Sequence, residues 1–462
     1  MKKIIKIGCM VVIALLMMGC KQEKKPKYIF YFIGDGMGVN QVLATQMYLA
    51  ELEGRIGTTA LSFTQFPVQT MVSTYSRYNG VTDSAAAGTA LSTGEKTKNG
   101  SIGMDSLLQE PIYSVAVDAK EAGLKVGVAT TVSIDHATPA VFYAHQPKRS
   151  MGYEIARDAV ESGYEFFAGA GFSQVEKDTL PNVIPILKEA GYYIAHGYED
   201  YKANRAQEKV ILLQEDEMKS LPFAIDRKDD LTLTEITEAA IDYLGKDEKG
   251  FFVMIEGGLI DWACHSNDGA TVIRETIDFA EAIGKAVEFY NAHKDETLIV
   301  VTADHETGGI VLGTGKYALN LQALQHQKIS LHELTKKMGE KRKAGELANW
   351  EEVKEMLKCA LGLWEEVPMN EDDEAKLKAV YDESFGKKKG ELVHNLYGDH
   401  EKMAQEAVAM LNKKALLGWT SYGHSGGFVP VYAIGVGAER FGSVRDNIDI
   451  PNTIRELIVK KK

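Results

Sequence analysis

The chain has 462 residues, of which 45% are hydrophobic and 25% charged, and its formal net charge at pH 7 is −13. This composition supplies ample apolar side chains for a large core and excludes a wholly disordered protein. The acidic balance argues against a protein that holds nucleic acid or an anionic membrane across its general surface, because such binding depends on many Lys and Arg contacts. Any anionic ligand must therefore be attracted by a local feature, such as bound metal ions.

Residues 1–19 have the pattern of an export signal. Lysines precede an apolar run from about Ile7 to Met18 that is too short to span a bilayer as a helix. The run ends at Met17-Met18-Gly19-Cys20, which resembles a bacterial lipoprotein cleavage box, so we expect Cys20 to be lipidated and residues 20–27 to form a polar tether. The mature protein is then expected to be exported and membrane-anchored, either periplasmic or at the cell surface. The alternative is a plain secretory signal with an incidental cysteine.

Five short runs of apolar or β-branched residues predict strands buried on both faces of a mostly parallel sheet. The runs are Tyr28 to Ile33, Val126 to Thr131, Phe251 to Ile255, Thr297 to Thr302 and Val431 to Val436. Helical stretches lie between them, such as the one that follows the capping pattern Thr232-x-x-Glu235. This alternation predicts an α/β fold, a three-layer α/β/α sandwich with a large central sheet, as a single domain over residues 28–462.

Residues from about 315 to 420 differ from the rest, being rich in Lys, Glu, Leu and Ala with helical spacing and few strand signals. They predict a helical insertion between two strands of the core. The insertion is expected to supply no metal ligand, and its histidines are expected to face solvent. These are His326, His332, His394 and His400. The two mature thiols, Cys264 and Cys359, are too few to make a disulfide framework, and whether they pair is left open.

Acidic residues, histidines and glycines follow directly after several predicted strands. Asp35, Glu256 and the pair Asp304-His305 each lie at a strand end. Because the carboxyl ends of parallel strands meet at one edge of a sheet, we expect these side chains to converge. A turn with a satisfied carboxylate explains each one alone, but their joint occurrence favours a metal site.

Two further segments carry candidate chemistry. Asp261 and His265 are four residues apart and would share one face of a helix, which suits two ligands of one metal. Asp83 and Ser84 precede an Ala-rich segment that should begin a helix, so either one could serve simply as its cap. The functional alternative is that Ser84 is a nucleophile at a helix N-terminus, where the dipole and free amides favour an anion.

Together these segments resemble the alkaline phosphatases, with six blocks in family order over about residues 28–440, outside the insertion. The blocks are Gly34-Asp35-Gly-Met-Gly38, Thr82-Asp83-Ser84-Ala-Ala-Ala-Gly-Thr-Ala, His136-Ala-Thr138-Pro-Ala followed by Arg149, Glu256-Gly-Gly-x-x-Asp261-x-x-x-His265, Thr302-Ala-Asp304-His305-Glu-Thr-Gly-Gly, and Gly423-His424-Ser425-Gly. The resemblance implies hydrolysis of phosphate monoesters through a phosphoserine at Ser84, with Arg149 clamping phosphate oxygens and Asp83 orienting Arg149.

The resemblance also implies two zinc ions and one magnesium ion. The implied ligands are Asp261, His265 and His424 for one zinc, Asp35, Asp304 and His305 for the other, and Asp35, Thr138 and Glu256 for magnesium. Nitrogen-containing sets suit zinc and an all-oxygen set suits magnesium. His136 and Trp262 stand where the family varies, and there they would adjust the magnesium site and phosphate release.

The implied partners are small phosphomonoesters and, through the lipid anchor, a membrane. Nucleic acid is not expected, and a homodimer is left open because the insertion could build or block its interface. Two alternatives remain at this point. One is a phosphodiesterase of the same superfamily, and the other is a lipoprotein that binds phosphate or metal without turnover. A sulfatase is disfavoured because the residues after Ser84 lack the Cys/Ser-x-Pro-x-Arg setting.

Overall fold

The computed structural model describes residues 24–216, 219–315, 317–385 and 391–459. The predicted signal and Cys20 lie outside these ranges. Lys24 Nζ lies 2.9 Å from the Asp295 carboxylate, and Lys25 donates to the Ile458 carbonyl, so the last part of the predicted tether rests on the folded body. Within the described ranges, every helix falls short of the length or the hydropathy that crossing a membrane requires.

A nine-stranded sheet forms the centre of the fold. Its strands are β1 (Tyr28–Gly34), β2 (Val68–Val72), β3 (Lys125–Thr130), β4 (Phe166–Gly169), β5 (Tyr192–His196), β6 (Lys209–Leu213), β7 (Phe251–Gly257), β8 (Thr297–Thr302) and β9 (Val429–Gly435). Across the sheet they lie in the order β2-β9-β8-β1-β7-β3-β4-β6-β5. Only β9 runs antiparallel to its neighbours β8 and β2, which confirms the predicted mostly parallel sheet.

The five predicted strands are β1, β3, β7, β8 and β9, each within two residues of its predicted bounds. All seven residues of β1 are buried, as are those of β7, which is why these runs are almost uninterrupted in apolar residues. Four strands escaped prediction. β2 alternates half-buried and exposed residues, and β4 is only four residues long.

Helices cover both faces of this sheet. In chain order they are α1 (Val39–Leu52), α2 (Ser84–Thr93), α3 (Val115–Glu121), α4 (Ala137–Ala140), α5 (Gly152–Ser162), α6 (Val183–Glu189), α7 (Tyr198–Asn204), α8 (Leu233–Leu244), α9 (Leu259–His265), α10 (Gly269–Ala292), α11 (Leu331–Lys343), α12 (Trp350–Leu361), α13 (Glu371–Val380), α14 (Lys402–Lys414) and α15 (Asp449–Ile458). The predicted capping box at the start of α8 is present, with Thr232 and Glu235 each bonded to the other's backbone. Helices α1, α8 and α10 pack together on one face, while α2, α3, α4 and α15 form a group on the other.

The insertion is built from α11 to α14 and has a hydrophobic core of its own. A short antiparallel ladder closes its base, where Val311–Leu312 pairs with Leu417–Gly418. Apolar residues of α1 and α10, including Tyr48 and Ile273, join the insertion core, so the insertion is packed firmly onto the catalytic body.

One expectation for the insertion was wrong. His332 and His394 are exposed and His326 is half-buried, but His400 is only 2% exposed and its Nε2 lies 3.0 Å from Ser266 Oγ. His400 belongs to a short ladder that packs against the end of α9, and this packing removes it from solvent. Cys264 is buried and Cys359 exposed, and both are free thiols.

Candidate active site

Four adjacent strands, β8, β1, β7 and β3, end at the same edge of the sheet and carry most of the predicted site residues. Asp35 follows β1 directly, Glu256 is the second-last residue of β7, and Asp304 comes two residues after β8. All three side chains are fully buried. The convergence expected from the strand order is therefore present, and it places several carboxylates close together in the protein interior.

The donor side chains at this edge form three groups, and Ser84 belongs to the first of them. It is the first residue of α2 and is fully buried, and Asp83 is the N-cap, with its Oδ1 accepting from the Ala86 amide at 3.0 Å. Ser84 Oγ lies 3.1 Å from His305 Nε2. The same nitrogen is 3.4 Å from Asp35 Oδ1 and 3.4 Å from Asp304 Oδ2. Three oxygens thus surround one imidazole nitrogen, as expected for donors that face a shared cation.

A second group lies beside the first. Asp261 Oδ2 is 3.4 Å from His265 Nε2, and Asp261 Oδ1 is 3.8 Å from His424 Nε2. The rings of His305 and His424 stack at 3.6 Å, so the two groups touch. The donor atoms of Asp261, His305 and His424 lie within 4.8 Å of one another, which makes His305 a member of both groups.

Hydrogen bonds at Nδ1 fix the tautomer of these three histidines. His265 Nδ1 lies 2.5 Å from the Tyr422 carbonyl and His424 Nδ1 lies 2.8 Å from the Thr82 carbonyl, and a carbonyl can only accept. Thr307 Oγ1 donates to Asp261, so it accepts from His305 Nδ1 at 3.1 Å. Each ring therefore carries its proton on Nδ1 and turns an Nε2 lone pair toward the site, the form that binds metals.

The third group is made of oxygen donors with one histidine. Thr138 Oγ1 donates to Asp35 Oδ2 at 3.3 Å, and the donor atoms of Asp35, His136 and Glu256 lie within 4.8 Å of one another. Thr130, which was not predicted, donates to Glu256. The three groups are made of residues outside the insertion, as far as the described part of the chain shows.

Arg149 lies at the edge of this third group. Its Nη1 is 3.5 Å from Asp83 Oδ2 and its Nη2 is 3.2 Å from His136 Nε2. Because a guanidinium only donates, His136 Nε2 accepts and its Nδ1 proton points toward Glu256 Oε1, 4.0 Å away. Burial, together with Arg149, lowers the pKa of His136 to about 3, so the ring is neutral.

The buried carboxylates of the site favour bound cations. Burial and then the neighbouring carboxylates raise the pKa of Asp35 and of Asp304 well above its usual range. Burial raises the pKa of Glu256 to about 7. Five buried atoms of the expected metal ligands also have no hydrogen-bond partner among the described residues. They are Asp35 Oδ1, Glu256 Oε1, Asp261 Oδ2, His265 Nε2 and His424 Nε2. Bound metal ions would satisfy these atoms and offset the charge, so the donor set fits the expected metals.

A glycine at position 36 allows the chain after β1 to pass close to Asp261. Gly36 has a φ of +70°, a conformation that other residues rarely adopt, and a Cβ there would lie 2.8 Å from Asp261 Oδ1. Its amide also donates to Asp304 Oδ1 at 3.1 Å. The backbone of Gly36 therefore anchors Asp304, and its missing side chain leaves room for Asp261.

Besides Thr130, sequence reasoning missed two residues that shape the site. Thr307, described above, links His305 to Asp261, and its position two residues after His305 in a recognised block was an available signal. Tyr397 comes from the insertion, and its ring stacks on Trp262 at 4.5 Å and meets His265 edge-on at 5.2 Å. Nothing in the local sequence around Tyr397 indicated that it would reach the site.

The Tyr397 hydroxyl lies near Arg149 and has no hydrogen-bond partner among the described residues. Burial lowers the pKa of the Arg149 guanidinium, but Tyr397 and Asp83 more than offset this and raise it. Burial also raises the pKa of Tyr397 well above its usual value, so the phenol stays protonated. It can accept from Arg149 and donate to an anion that Arg149 binds.

Comparison with known proteins agrees with this geometry. The family model described as "Alkaline phosphatase" matches residues 26–180 and 175–459. Alkaline phosphatase 4 of Bacillus subtilis is 32% identical over 453 residues, which cover 95% of this chain and 90% of that protein. Alkaline phosphatase 3 of the same organism is 33% identical over 455 residues, covering 94% and 90%.

Solved structures lead to the same family. The cold-active alkaline phosphatase of a psychrophilic Shewanella species superposes with a TM-score of 0.78 at 29% identity, over 94% of this chain and all of that one. The alkaline phosphatase of the Antarctic bacterium TAB5 gives 0.67 at 27% identity, over 95% and 99%. A histidine-to-glutamate variant of the TAB5 enzyme holds Mg in its M3 site. With its sheet, its site and these relatives in agreement, the chain belongs to the alkaline phosphatase family and is a phosphatase.

Proposed function

We propose that the protein hydrolyses phosphate monoesters to phosphate and an alcohol through a phosphoserine at Ser84. The observation that carries this proposal is the placement of Ser84 Oγ. It lies at the N-terminus of a ten-residue helix, 3.1 Å from His305 Nε2. That nitrogen also lies 3.4 Å from a carboxylate oxygen of Asp35 and of Asp304, both buried. A helix cap needs only Asp83, which already performs that role, so capping does not explain the burial of Ser84 among metal-type donors.

The residues that would hold the metals follow from the three groups and the histidine tautomers. We assign one zinc to Asp261, His265 and His424, the second to Asp35, Asp304 and His305 beside Ser84, and magnesium to Asp35, Thr138 and Glu256. His265 is preferred over His305 in the first set because its Nε2 faces Asp261 and has no other partner. When bound, such ions would supply the positive charge that stabilises the attacking and leaving oxygens.

The chain's own groups orient the phosphoryl group. The free amides at the start of α2 and the Arg149 guanidinium both attract phosphate oxygens, and the planar fork of arginine fixes their orientation. Asp83 Oδ2 holds Arg149 and is itself held by the Gly100 amide at 3.0 Å. His136 Nε2 accepts a hydrogen bond from the second guanidinium nitrogen. Arg149 is thus positioned before substrate arrives, which lowers the cost of binding.

Hydrolysis then takes two displacements at phosphorus. In the first, Ser84 Oγ loses its proton and forms a bond to phosphorus, while the bond to the leaving alcohol breaks and that oxygen takes up a proton. In the second, water loses a proton and forms a bond to phosphorus, the bond to Ser84 Oγ breaks, that oxygen takes up a proton, and phosphate leaves. Phosphate monoester hydrolysis is among the slowest reactions in water, so both steps require strong stabilisation of the transition state.

An assay with an aryl phosphate tests this proposal. We expect colour release that a chelator abolishes and that zinc with magnesium restores. The corresponding bis-aryl diester should turn over far more slowly. Faster hydrolysis of the diester would favour the phosphodiesterase alternative, and phosphate binding without turnover in the metal-loaded protein would favour a binding lipoprotein.

Tyr397→Phe should lower kcat/KM by about tenfold, because it removes the hydrogen bond that the hydroxyl would donate to a bound phosphoryl group while the stack on Trp262 remains. Most of the loss should appear in KM and in the inhibition constant for inorganic phosphate, with unchanged metal content. Tyr397→Ala should lower kcat/KM further, since the stack on Trp262 is lost as well. If Tyr397→Phe binds phosphate like wild type, the hydroxyl does not contact the phosphoryl group.

We also propose that the enzyme is exported and anchored through a lipid on Cys20, which the signal-like segment before it supports. Cys20→Ser should move the protein from the membrane fraction to the soluble fraction without changing its kcat. A tag at the C-terminus allows both forms to be followed by fractionation. A Cys20→Ser protein that is processed and still sediments with membranes would contradict lipidation at this residue.

A further inference from the structure

A cavity of about 620 Å³ adjoins the active site on the side of the insertion. Its floor is aromatic, with Phe223 from the loop after β6, Trp262 from α9 and Tyr397 from the insertion. His332 and His400 add two imidazole rings to the wall. The size is in the range of small-molecule sites, and flat rings of this kind favour a planar ligand.

Lysines line the rest of this cavity. Lys228, Lys328, Lys336 and Lys337 all belong to its wall. Within the described ranges, no carboxylate lies at ion-pair distance from Lys228 or Lys328, while Lys336 and Lys337 share a single partner, Glu333, at 3.7 and 3.6 Å. Four ammonium groups around one opening stand out in a chain of net charge −13.

The two aspartates of the cavity wall already accept hydrogen bonds from the protein. Asp226 Oδ1 accepts from the Ser330 amide at 2.8 Å, and Asp230 accepts from Gln214 at 2.7 Å and from the Lys228 amide at 3.1 Å. Arg227 is paired with Asp278, whose carboxylate it meets at 2.7 Å. The four lysines of the wall thus outnumber its three carboxylates, so the cavity presents a net positive charge to a ligand.

Trp262 and Tyr397 connect this cavity to the catalytic centre. They line the cavity, and the same two rings lie 6.3 and 6.1 Å from the ring of His136, which holds Arg149. A phosphoryl group held by Arg149 would thus lie near the border of the cavity that these two rings form. The alcohol part of a bound substrate needs a place to lie, and this cavity offers aromatic surface with positive charge beyond it.

We propose that the cavity is a subsite for the alcohol part of the substrate, selective for phosphomonoesters whose alcohol carries a planar ring and a further anionic group. Nucleoside bisphosphates have this chemistry, whereas glycerol phosphate has neither feature. The proposal rests on the proposed function, because it concerns selection among substrates of that same site. It goes beyond phosphomonoester hydrolysis by naming which esters the insertion favours.

The test compares two substrates across variants of the metal-loaded enzyme. The quantity measured is the ratio of kcat/KM for adenosine 3′,5′-bisphosphate to kcat/KM for glycerol phosphate, with phosphate release as the readout. Differences in leaving-group chemistry cancel when this ratio is compared between variants. The test variant is Lys328→Ala with Lys336→Ala. The matched control is Lys343→Ala, an exposed lysine outside the cavity wall on α11, the helix that carries Lys336.

We expect the double variant to lower the ratio by about fivefold or more, and the control to leave it within experimental error. Added salt should lower the wild-type ratio and have little effect on that of the double variant. An unchanged ratio in the double variant would overturn the subsite while leaving the phosphatase function intact. If wild type hydrolyses neither ester, the proposed function itself fails.

Discussion

Ser84→Ala should lose activity toward aryl phosphates by about 10³-fold or more, while its bound zinc and magnesium stay close to wild-type amounts. The physical reason is that the substitution removes the atom that attacks phosphorus and leaves the remaining donors in place. Asp35, Asp304 and His305 hold their positions through other contacts, including the Gly36 amide and Thr307. Residual hydrolysis by water attacking directly is expected to be slow.

The matched control is Ser92→Ala, which makes the same change in the same helix. Ser92 is also fully buried, but its hydroxyl bonds to the carbonyls of Thr89 and Val141, away from the site. It should lose some stability and keep its kcat. If Ser92→Ala inactivates the enzyme as strongly as Ser84→Ala, damage to α2 rather than loss of a nucleophile explains both results.

Removal of the metals should abolish activity and lower Tm by at least about 5 °C, because ions that bind only the folded chain stabilise it. The described site contains four buried carboxylates, Asp35, Glu256, Asp261 and Asp304, within one edge of the sheet. Without cations they repel one another, which is the reason that the pKa values of Asp35 and Asp304 are raised beyond the effect of burial.

This repulsion predicts a pH dependence for the chelated protein. The folded pKa of Glu256 is about 7, above its ordinary value of 4.5, so between these values the folded chain holds more protons than the unfolded chain. The free energy of unfolding then falls as pH rises across this window, and the raised pKa values of Asp35 and Asp304 extend the fall. Stability of the metal-free form should be greatest at mildly acid pH.

Metals should reverse this trend, because they compete with protons for the same oxygens and nitrogens and bind more tightly as pH rises. Thermal melts of the chelated and the metal-loaded protein from pH 5 to pH 9 measure both slopes. The gap in Tm between the two forms should widen with pH. A constant gap would mean that these carboxylates are not the groups that bind the ions.

Much of the fold followed from hydrophobic pattern alone, for a physical reason. β1, β3, β7, β8 and β9 lie in the interior of the sheet, so both faces of each are buried and their sequences are almost wholly apolar. Of the missed strands, β2 and β5 lie at the edges of the sheet, and β4 and β6 are interior strands of only four and five residues. β2 pairs only with β9 and is half-exposed, and such a strand carries a weak pattern.

The candidate site was predictable for a related reason. Strand ends are readable in sequence, and the residues just beyond them must meet at one edge of a parallel sheet. Tyr397 could not be found this way, because it lies in a segment without strand or helix pattern and reaches Trp262 only through the tertiary packing of the insertion. The burial of His400 escaped prediction for the same reason.

The most direct test is to trap the covalent intermediate. Metal-loaded enzyme is mixed with radioactive phosphomonoester, quenched in acid within the first turnover, digested and mapped by mass spectrometry. We expect one labelled peptide, with the phosphoryl group on Ser84 in wild type and in Ser92→Ala, and no label in Ser84→Ala. A stable label on any other residue, or undiminished labelling of Ser84→Ala, would contradict Ser84 as the nucleophile.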